Sequence, residues 1–141
     1  MIRYLDASAL AKRYIQEEHS DAVIRLASRG TVATSRLSEP EVGSALARRT
    51  REGNLTIVER DRLVDVMRRD MASLHVVEIT SKICGLACEM LMRHKLRASD
   101  SVHLASAVYL GGRIGAKVQF IAFDEGLNEA AKREGLALPA F

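Results

Sequence analysis

The sequence has no tryptophan, and its three phenylalanines and three tyrosines bring the aromatic content to only 4% of 141 residues. So few rings disfavour the nucleic-acid-binding modules that stack successive bases on an aromatic platform. Any nucleic acid that binds this chain is therefore expected to be held through its phosphates.

Long apolar runs are also missing. None approaches the roughly 18 consecutive apolar residues that a membrane-spanning helix needs. The N-terminal segment carries a short apolar run that Asp6 interrupts, with no cleavage-site pattern, so no signal peptide is expected. These absences predict a cytoplasmic protein with no membrane partner.

Only two cysteines are present, Cys84 and Cys88, four residues apart in an apolar helical pattern. A zinc site would need two further ligands, and no second pair with suitable spacing exists. We interpret the two thiols as packed core residues of a protein from a reducing compartment.

What is present is typical of an ordinary globular protein. Apolar residues make up 48% of the chain and charged residues 28%, and 21 basic against 18 acidic side chains give a net charge of +3. That excess is too small to identify a partner. The length and composition predict a single domain over residues 1–141.

Short β-branched and aromatic runs alternate with longer amphipathic stretches. The runs predict strands at Ile2–Leu5, Thr31–Thr34, His75–Ile79 and Val118–Phe123, and Leu136–Leu138 could add a fifth. The stretches predict helices over Ser8–Arg29 (with a possible break near Glu17–Ser20), Glu39–Glu52, Thr56–Leu74, Ser81–Lys95, Ser99–Leu110 and Glu125–Glu134. This order predicts a three-layer α/β/α domain with a central, mostly parallel sheet of four to five strands.

Four acidic residues stand where predicted strands end and helices begin. Asp6 follows the first strand directly, Glu41 lies in the first turn of the helix after the second strand, Asp100 opens the fifth helix, and Asp124 follows the fourth strand. In parallel α/β sheets, function gathers at the carboxyl ends of the strands. We therefore expect all four acids near one edge of the sheet.

Each acid alone has a simpler interpretation. A carboxylate in a first turn satisfies free N–H groups and complements the helix dipole, and Ser38 with Glu41 has the spacing of a capping box. Converging carboxylates, however, repel one another, so that their pKa values rise or they recruit a cation. With no His or Cys cluster beside them, oxygen ligands suit Mg²⁺ or Mn²⁺, which activate water and orient phosphate. The joint interpretation is phosphodiester hydrolysis, and it depends on a strand order that spacing does not give.

At these residues the sequence resembles the PIN-domain family, and within it the VapC-type toxins of bacterial and archaeal toxin–antitoxin pairs. Four motifs match in order across nearly the whole chain: DASAL at 6–10, LSEPEV at 37–42, DSVHLASA at 100–107 and FDEGL at 123–127. The resemblance implies a Mg²⁺-dependent endoribonuclease, with Mn²⁺ as an alternative ion. Its metal-binding and catalytic acids would be Asp6, Glu41, Asp100 and Asp124, with Ser8 as a small polar neighbour that contacts substrate. It also implies a homodimer and a cognate antitoxin.

Other residues carry weaker signals. Glu39 competes with Glu41, but the family's spacing from the preceding serine favours Glu41. Lys12 corresponds to a basic residue common in the family soon after the first Asp, and is either a phosphate contact or a solvated lysine. His103 lies in an apolar helix and is interpreted as a hydrogen-bonded core residue rather than a general base. The densest basic tract, mostly a solvated helix surface that could flank RNA, is Arg48, Arg49, Arg51, Arg60, Arg62, Arg68 and Arg69.

Two alternatives to the ribonuclease remain. The chain could be a non-catalytic nucleic-acid-binding or regulatory protein of the same fold, in which the acids only cap helices. A Mg²⁺ enzyme acting on small phosphate compounds is disfavoured, because no glycine-rich phosphate loop follows the first strand.

Overall fold

The computed structural model describes all 141 residues. Along the chain, two helices lie between each pair of successive strands, and a seventh helix follows the fourth strand. The strands are β1 (Ile2–Leu5), β2 (Thr31–Ser35), β3 (His75–Val77) and β4 (Val118–Ile121). The helices are α1 (Ala7–Ala11), α2 (Ser20–Ala27), α3 (Ser38–Arg51), α4 (Ile57–Ser73), α5 (Ser81–Arg93), α6 (Ala98–Ile114) and α7 (Glu125–Arg133).

The sheet is parallel throughout, with the strand order β3-β2-β1-β4. β1 lies in the interior, where Tyr4 is paired with Ala33 on one side and with Phe120 on the other. The sheet has the lower of the two predicted strand numbers, because Leu136–Leu138 contributes only an isolated bridge between Ala137 and Gln119. The prediction of a mostly parallel three-layer α/β/α domain is confirmed.

Two hydrophobic cores lie on the two faces of the sheet. Successive strand residues point to opposite faces, so Tyr4 contributes to one core and Leu5 to the other. The core on the Tyr4 side is covered by α5, α6 and α7, and the core on the Leu5 side by α1 to α4. β1 is therefore buried on both faces, and whatever follows it is placed at the centre of the molecule.

The predicted first helix is two helices. α1 ends at Ala11, and α2 begins only at Ser20. Ser20 Oγ donates to the Ile15 carbonyl and accepts from the Glu17 N–H, at 3.1 and 3.0 Å. Side-chain to backbone bonds of this kind compete with the helical pattern and stop a continuous helix from forming here.

The interpretation of the cysteines as core residues is wrong. Cys84 and Cys88 share one face of α5, as their spacing predicts, but that face is exposed. The buried stripe of α5 consists of Ile83, Ala87 and Met90. Each cysteine follows a buried residue by one position, which turns it by about 100° away from the core.

No helix of the structure is both long enough and apolar enough to cross a membrane.

Candidate active site

A pocket of about 280 Å³ opens at the edge where β1 and β4 end. All four acids predicted at strand-to-helix junctions line it, together with Ser8. The full lining is Asp6, Ala7, Ser8, Glu41, Arg97, Asp100, His103, Phe123 and Asp124. The parallel sheet thus brings residues from four separate parts of the chain to one place.

Asp6 lies at the floor of this pocket and is only 5% exposed. Its Oδ1 accepts hydrogen bonds from the Ala9 N–H at 2.9 Å and from the Ser8 hydroxyl at 2.7 Å, so it also caps α1. Burial raises the pKa of Asp6 above its ordinary 3.8, the two hydrogen bonds lower it, and the nearby charge of Asp100 raises it further. The net shift is upward, so the folded protein disfavours a negative charge at this carboxyl unless a cation compensates it.

Glu41 reaches the pocket from the first turn of α3. The capping box predicted for it does not form, because Ser38 is inside the helix and its Oγ is bonded to Thr34 Oγ1 at 2.7 Å. Thr34 in turn donates to the Leu5 carbonyl, also at 2.7 Å. These buried bonds fix the start of α3 to the ends of β1 and β2 and leave the Glu41 side chain free to enter the pocket.

His103 connects Glu41 to the core. Its Nε2 lies 2.7 Å from Glu41 Oε1, and its Nδ1 lies 2.9 Å from the hydroxyl of Tyr4. Burial raises the pKa of Tyr4 well above its ordinary value, so the hydroxyl keeps its proton and can donate. In one arrangement that satisfies all three groups, Tyr4 donates to Nδ1 and Nε2–H donates to the carboxylate.

The interpretation of His103 as a hydrogen-bonded core residue is confirmed, since it is 1% exposed and bonded through both ring nitrogens. Its contact with Glu41 was not predicted. The only sequence signal is its position three residues after Asp100, which places both side chains on one face of α6.

Asp100 is paired with a residue that sequence reasoning missed. Arg97 Nε donates to Asp100 Oδ2 at 3.1 Å, and the pair has the i,i+3 spacing of a helix start. The bond to Asp100 raises the pKa of Arg97, and the charges of Asp124 and Glu41 act in the same direction. Arg97 therefore supplies the one fixed positive charge that faces three of the four acids.

Asp124 caps α7, as its interpretation as a helix cap predicts. Its Oδ1 accepts from the Leu127 N–H at 2.8 Å. A Cβ on Gly126 would lie 3.3 Å from the same oxygen, so the glycine leaves room for the carboxylate to turn toward the pocket. Capping and a role in the pocket are compatible, because the cap uses only one carboxylate oxygen.

The same division holds for all four acids. In each, one oxygen accepts hydrogen bonds from the protein and the other has no protein donor; the engaged oxygens are Oδ1 of Asp6, Oε1 of Glu41, Oδ2 of Asp100 and Oδ1 of Asp124. No group of three or more His, Cys, Asp or Glu side chains is arranged to hold a metal ion. Mg²⁺ needs no such cage, because it binds one or two carboxylates and keeps several waters. The donor set fits that mode of binding.

Other predicted candidates lie outside the pocket. Lys12 Nζ is 3.0 Å from Glu17 Oε1, and the lysine side chain is only 11% exposed. Glu39, the alternative to Glu41, is paired with Arg36 and Arg68 at 3.2 and 3.8 Å.

The basic tract is largely an exposed helix surface. Three of its members pair with nearby carboxylates, Arg49 with Glu17 at 2.9 Å, Arg60 with Asp61 at 2.9 Å and Arg68 with Glu39 at 3.8 Å. None of its arginines lines the acidic pocket.

Comparison with known sequences gives a consistent result. The PIN domain family model matches residues 3–133. Ribonuclease VapC46 of Mycobacterium tuberculosis is 33% identical over 138 residues, which cover 97% of this chain and 95% of that protein. Ribonuclease VapC45 of the same species is 38% identical over 112 residues, covering 77% and 76% of the two chains.

Solved structures agree in fold. The crystal structure of Mycobacterium tuberculosis VapC20, a toxin that cleaves the sarcin-ricin loop, aligns with a TM-score of 0.67 at 20% identity and covers 91% of this chain and 94% of that one. The VapBC2 complex of Rickettsia felis, bound to a promoter DNA fragment, aligns with a TM-score of 0.67 at 13% identity, covering 99% and 98%. With a family model over most of its length and a relative matched almost end to end, this chain belongs to the PIN domain family.

Proposed function

We propose that this protein is a VapC-type toxin, an endoribonuclease that hydrolyses RNA phosphodiester bonds in the cytoplasm with Mg²⁺, or Mn²⁺, bound among Asp6, Glu41, Asp100 and Asp124. The observation that carries the proposal is the acidic pocket, in which each carboxylate is held by one oxygen and offers the other. The relatives that match most of the chain are ribonucleases by name, which supports the same activity.

In this proposal a bound divalent ion would neutralise the acids, orient the phosphate and make a water more acidic. The residues of the chain have distinct tasks around it. Asp6 and Asp100, 5% and 8% exposed, are the buried acids whose mutual repulsion a cation relieves. Ser8 holds Asp6 in place from the pocket wall, and Asp124 contributes from the rim while capping α7.

Arg97 has a separate task. Its side chain is 77% exposed, and only Nε is used in the bond to Asp100, so the rest of the guanidinium faces outward. Guanidinium groups match the geometry of phosphate oxygens. Arg97 therefore reduces the repulsion that an RNA phosphate meets on approaching four carboxylates.

His103 is a positioning residue. Replacing His103 by leucine should weaken Mn²⁺ binding about 10- to 100-fold, because Glu41 loses the donor that holds Oε1 and orients the free oxygen. His103→Gln, whose amide can still donate, should recover part of that affinity. Isothermal titration of the metal-free protein with MnCl₂ measures both.

A purely structural role makes a different prediction for the same pair. In that case both variants would unfold at lower urea concentration than the wild type, while their Mn²⁺ affinities would equal that of the wild type. That result would remove His103 from the site.

Two partners belong to the proposal, a cognate antitoxin and a second copy of the chain in a homodimer. Support for the antitoxin comes from the structural neighbours, which include a toxin–antitoxin complex from Klebsiella pneumoniae with a TM-score of 0.56. The homodimer rests on the family resemblance.

The activity is tested with protein purified free of antitoxin and a panel of transfer, ribosomal and messenger RNAs. We expect cleavage with Mg²⁺ or Mn²⁺ and none in EDTA, and sequencing of the RNA ends identifies the target. Failure to cut any RNA, together with no divalent-ion binding by titration, would refute the proposal. The non-catalytic alternative instead predicts salt-dependent RNA binding that is unchanged when Asp6, Glu41 and Asp100 are neutralised together.

A further inference from the structure

Three aromatic rings gather on the surface beside the acidic pocket. His19 and Phe123 are stacked with centroids 5.2 Å apart and planes at 13°, and Phe141 lies 5.2 Å from Phe123 and 5.6 Å from His19. The sequence predicted no aromatic platform because aromatic residues are few. Two of the three phenylalanines nevertheless meet in this one cluster.

The rings are not part of the core. Phe141 is 55% exposed, the His19 side chain is 41% exposed, and Phe123 is half-buried. Phenylalanine is normally among the most buried residues, so exposed rings held in a fixed cluster call for an explanation. The ammonium of Lys12 lies 4.6 Å from the centroid of Phe123, and Glu17 holds that lysine in turn, which keeps the ring in position.

The cluster connects two cavities of different character. Phe123 lines the acidic pocket, next to Asp124 in sequence. Phe141 lines a second cavity of about 160 Å³, whose walls include Arg25 and Arg29 of the α2 region. Both arginines are exposed, and neither forms a salt bridge.

We propose that His19, Phe123 and Phe141 form a stacking subsite for a base of single-stranded RNA, and that Arg25 and Arg29 bind a neighbouring phosphate. The inference rests on the proposed ribonuclease function and identifies how the substrate is held beside the acids. A nucleotide chain places flat bases between successive phosphates. The structure presents the matching order, with a phosphate-handling pocket, then aromatic rings, then two unpaired guanidinium groups.

A protein partner fits this surface less well. Stable protein interfaces bury about 800 Å² on each side, around a largely apolar centre. Here three rings are bordered by four carboxylates on one side and two arginines on the other. Base stacking on aromatic side chains tolerates any sequence and needs only an exposed ring, and Phe141 and His19 are 55% and 41% exposed.

The test measures binding apart from cleavage. Fluorescence anisotropy in EDTA at low salt follows fluorescein-labelled homopolymeric RNA oligonucleotides, with and without an abasic position. Phe141→Ala and His19→Asn should each weaken binding about tenfold, and Phe141→Trp should restore it. Asparagine suits position 19 because His19 has the left-handed φ of 68°. Met92→Ala, an exposed apolar residue that lines neither cavity, is the matched control.

A second variant tests the binding of phosphate by the two arginines. The double variant Arg25→Ala/Arg29→Ala should reduce the dependence of log affinity on log salt by about 0.7 for each phosphate that the arginines neutralise in the wild type. If the rings act by stacking on a base, removing that base should remove their effect. The ring variants should therefore bind the abasic oligonucleotide with the same affinity as the wild type.

The outcomes separate this inference from the proposed function. RNA affinity that is unchanged in the ring variants, or wild-type protein that binds none of the oligonucleotides, overturns the subsite even if the protein cleaves RNA. Loss of binding in the ring variants supports the subsite even if no cleavage is found, in which case the hydrolytic function fails by itself. Ring variants that bind RNA normally but lose a protein partner would reassign the patch and overturn the inference.

Discussion

Replacing Asp6 by asparagine should abolish RNA cleavage, lowering the rate at saturating Mg²⁺ by at least about a thousandfold. Asparagine keeps an oxygen that can accept from the Ala9 N–H and the Ser8 hydroxyl, so the start of α1 is preserved. What it removes is the buried negative charge at the centre of the pocket. Time courses on a fluorophore- and quencher-labelled RNA measure the loss, and Asp61→Asn, an exposed acid of α4, is the control.

Loss of activity in this variant should not reflect unfolding. The pKa of Asp6 in the folded protein is raised above 3.8, so the folded state holds the proton more tightly than the unfolded state does. The stability that this provides is present below about pH 3.8 and is lost as the pH rises through the raised pKa. Asparagine at position 6 does not titrate, so the variant does not lose this contribution to stability as the pH rises.

In EDTA, the free energy of unfolding of Asp6→Asn relative to wild type should therefore increase as the pH rises above about 3.8 and then level off. Urea denaturation at a series of pH values measures the difference. A variant that is inactive and also less stable than wild type at pH 7 would contradict this account, because its inactivity could then come from the fold.

Replacing Phe120 by alanine should cost about 3–5 kcal/mol of folding free energy. Phe120 is fully buried on β4, and its ring is stacked on Tyr4 with centroids 5.6 Å apart and planes at 5°. Removing it leaves a cavity beside the ring that donates to His103. A loss of this size is a large part of the 5–15 kcal/mol that stabilises a typical domain. The midpoint of urea unfolding measures it.

Phe141→Ala is the matched control for the loss at Phe120. The same atoms are removed from a ring that is 55% exposed, so the change in unfolding free energy should be below about 1 kcal/mol. Equal losses at the two positions would mean that burial does not determine the cost.

The sequence was sufficient to predict the layers of the fold and the junctions where Asp6 and Asp124 lie. Periodicity separates strands from helices, and an acid directly after a strand marks its carboxyl end. The error at the cysteines came from one residue of helical phase. The break given as possible near Glu17–Ser20 is present, and the two hydrogen bonds of Ser20 lie at it.

The contacts that give the site its character are not local. His103 meets Glu41 across 62 positions of sequence, and His19, Phe123 and Phe141 meet from opposite ends of the chain. No spacing rule predicts these contacts, since they follow from the order of β2, β1 and β4 in the sheet. The low aromatic content predicted that no aromatic platform would form. A low count of rings does not, however, prevent those present from lying in one cluster.

The pairing of β1 with β4 has a consequence for how the protein is made. A chain grows from its N-terminus at about 5–20 residues per second, so the ribosome synthesises β1 well before β4 and Asp124. Asp6 is therefore synthesised roughly 6–24 s before the strand and the acid that complete its pocket. Until β4 has been synthesised, the pocket lacks both Asp124 and the strand that pairs with β1 at its edge.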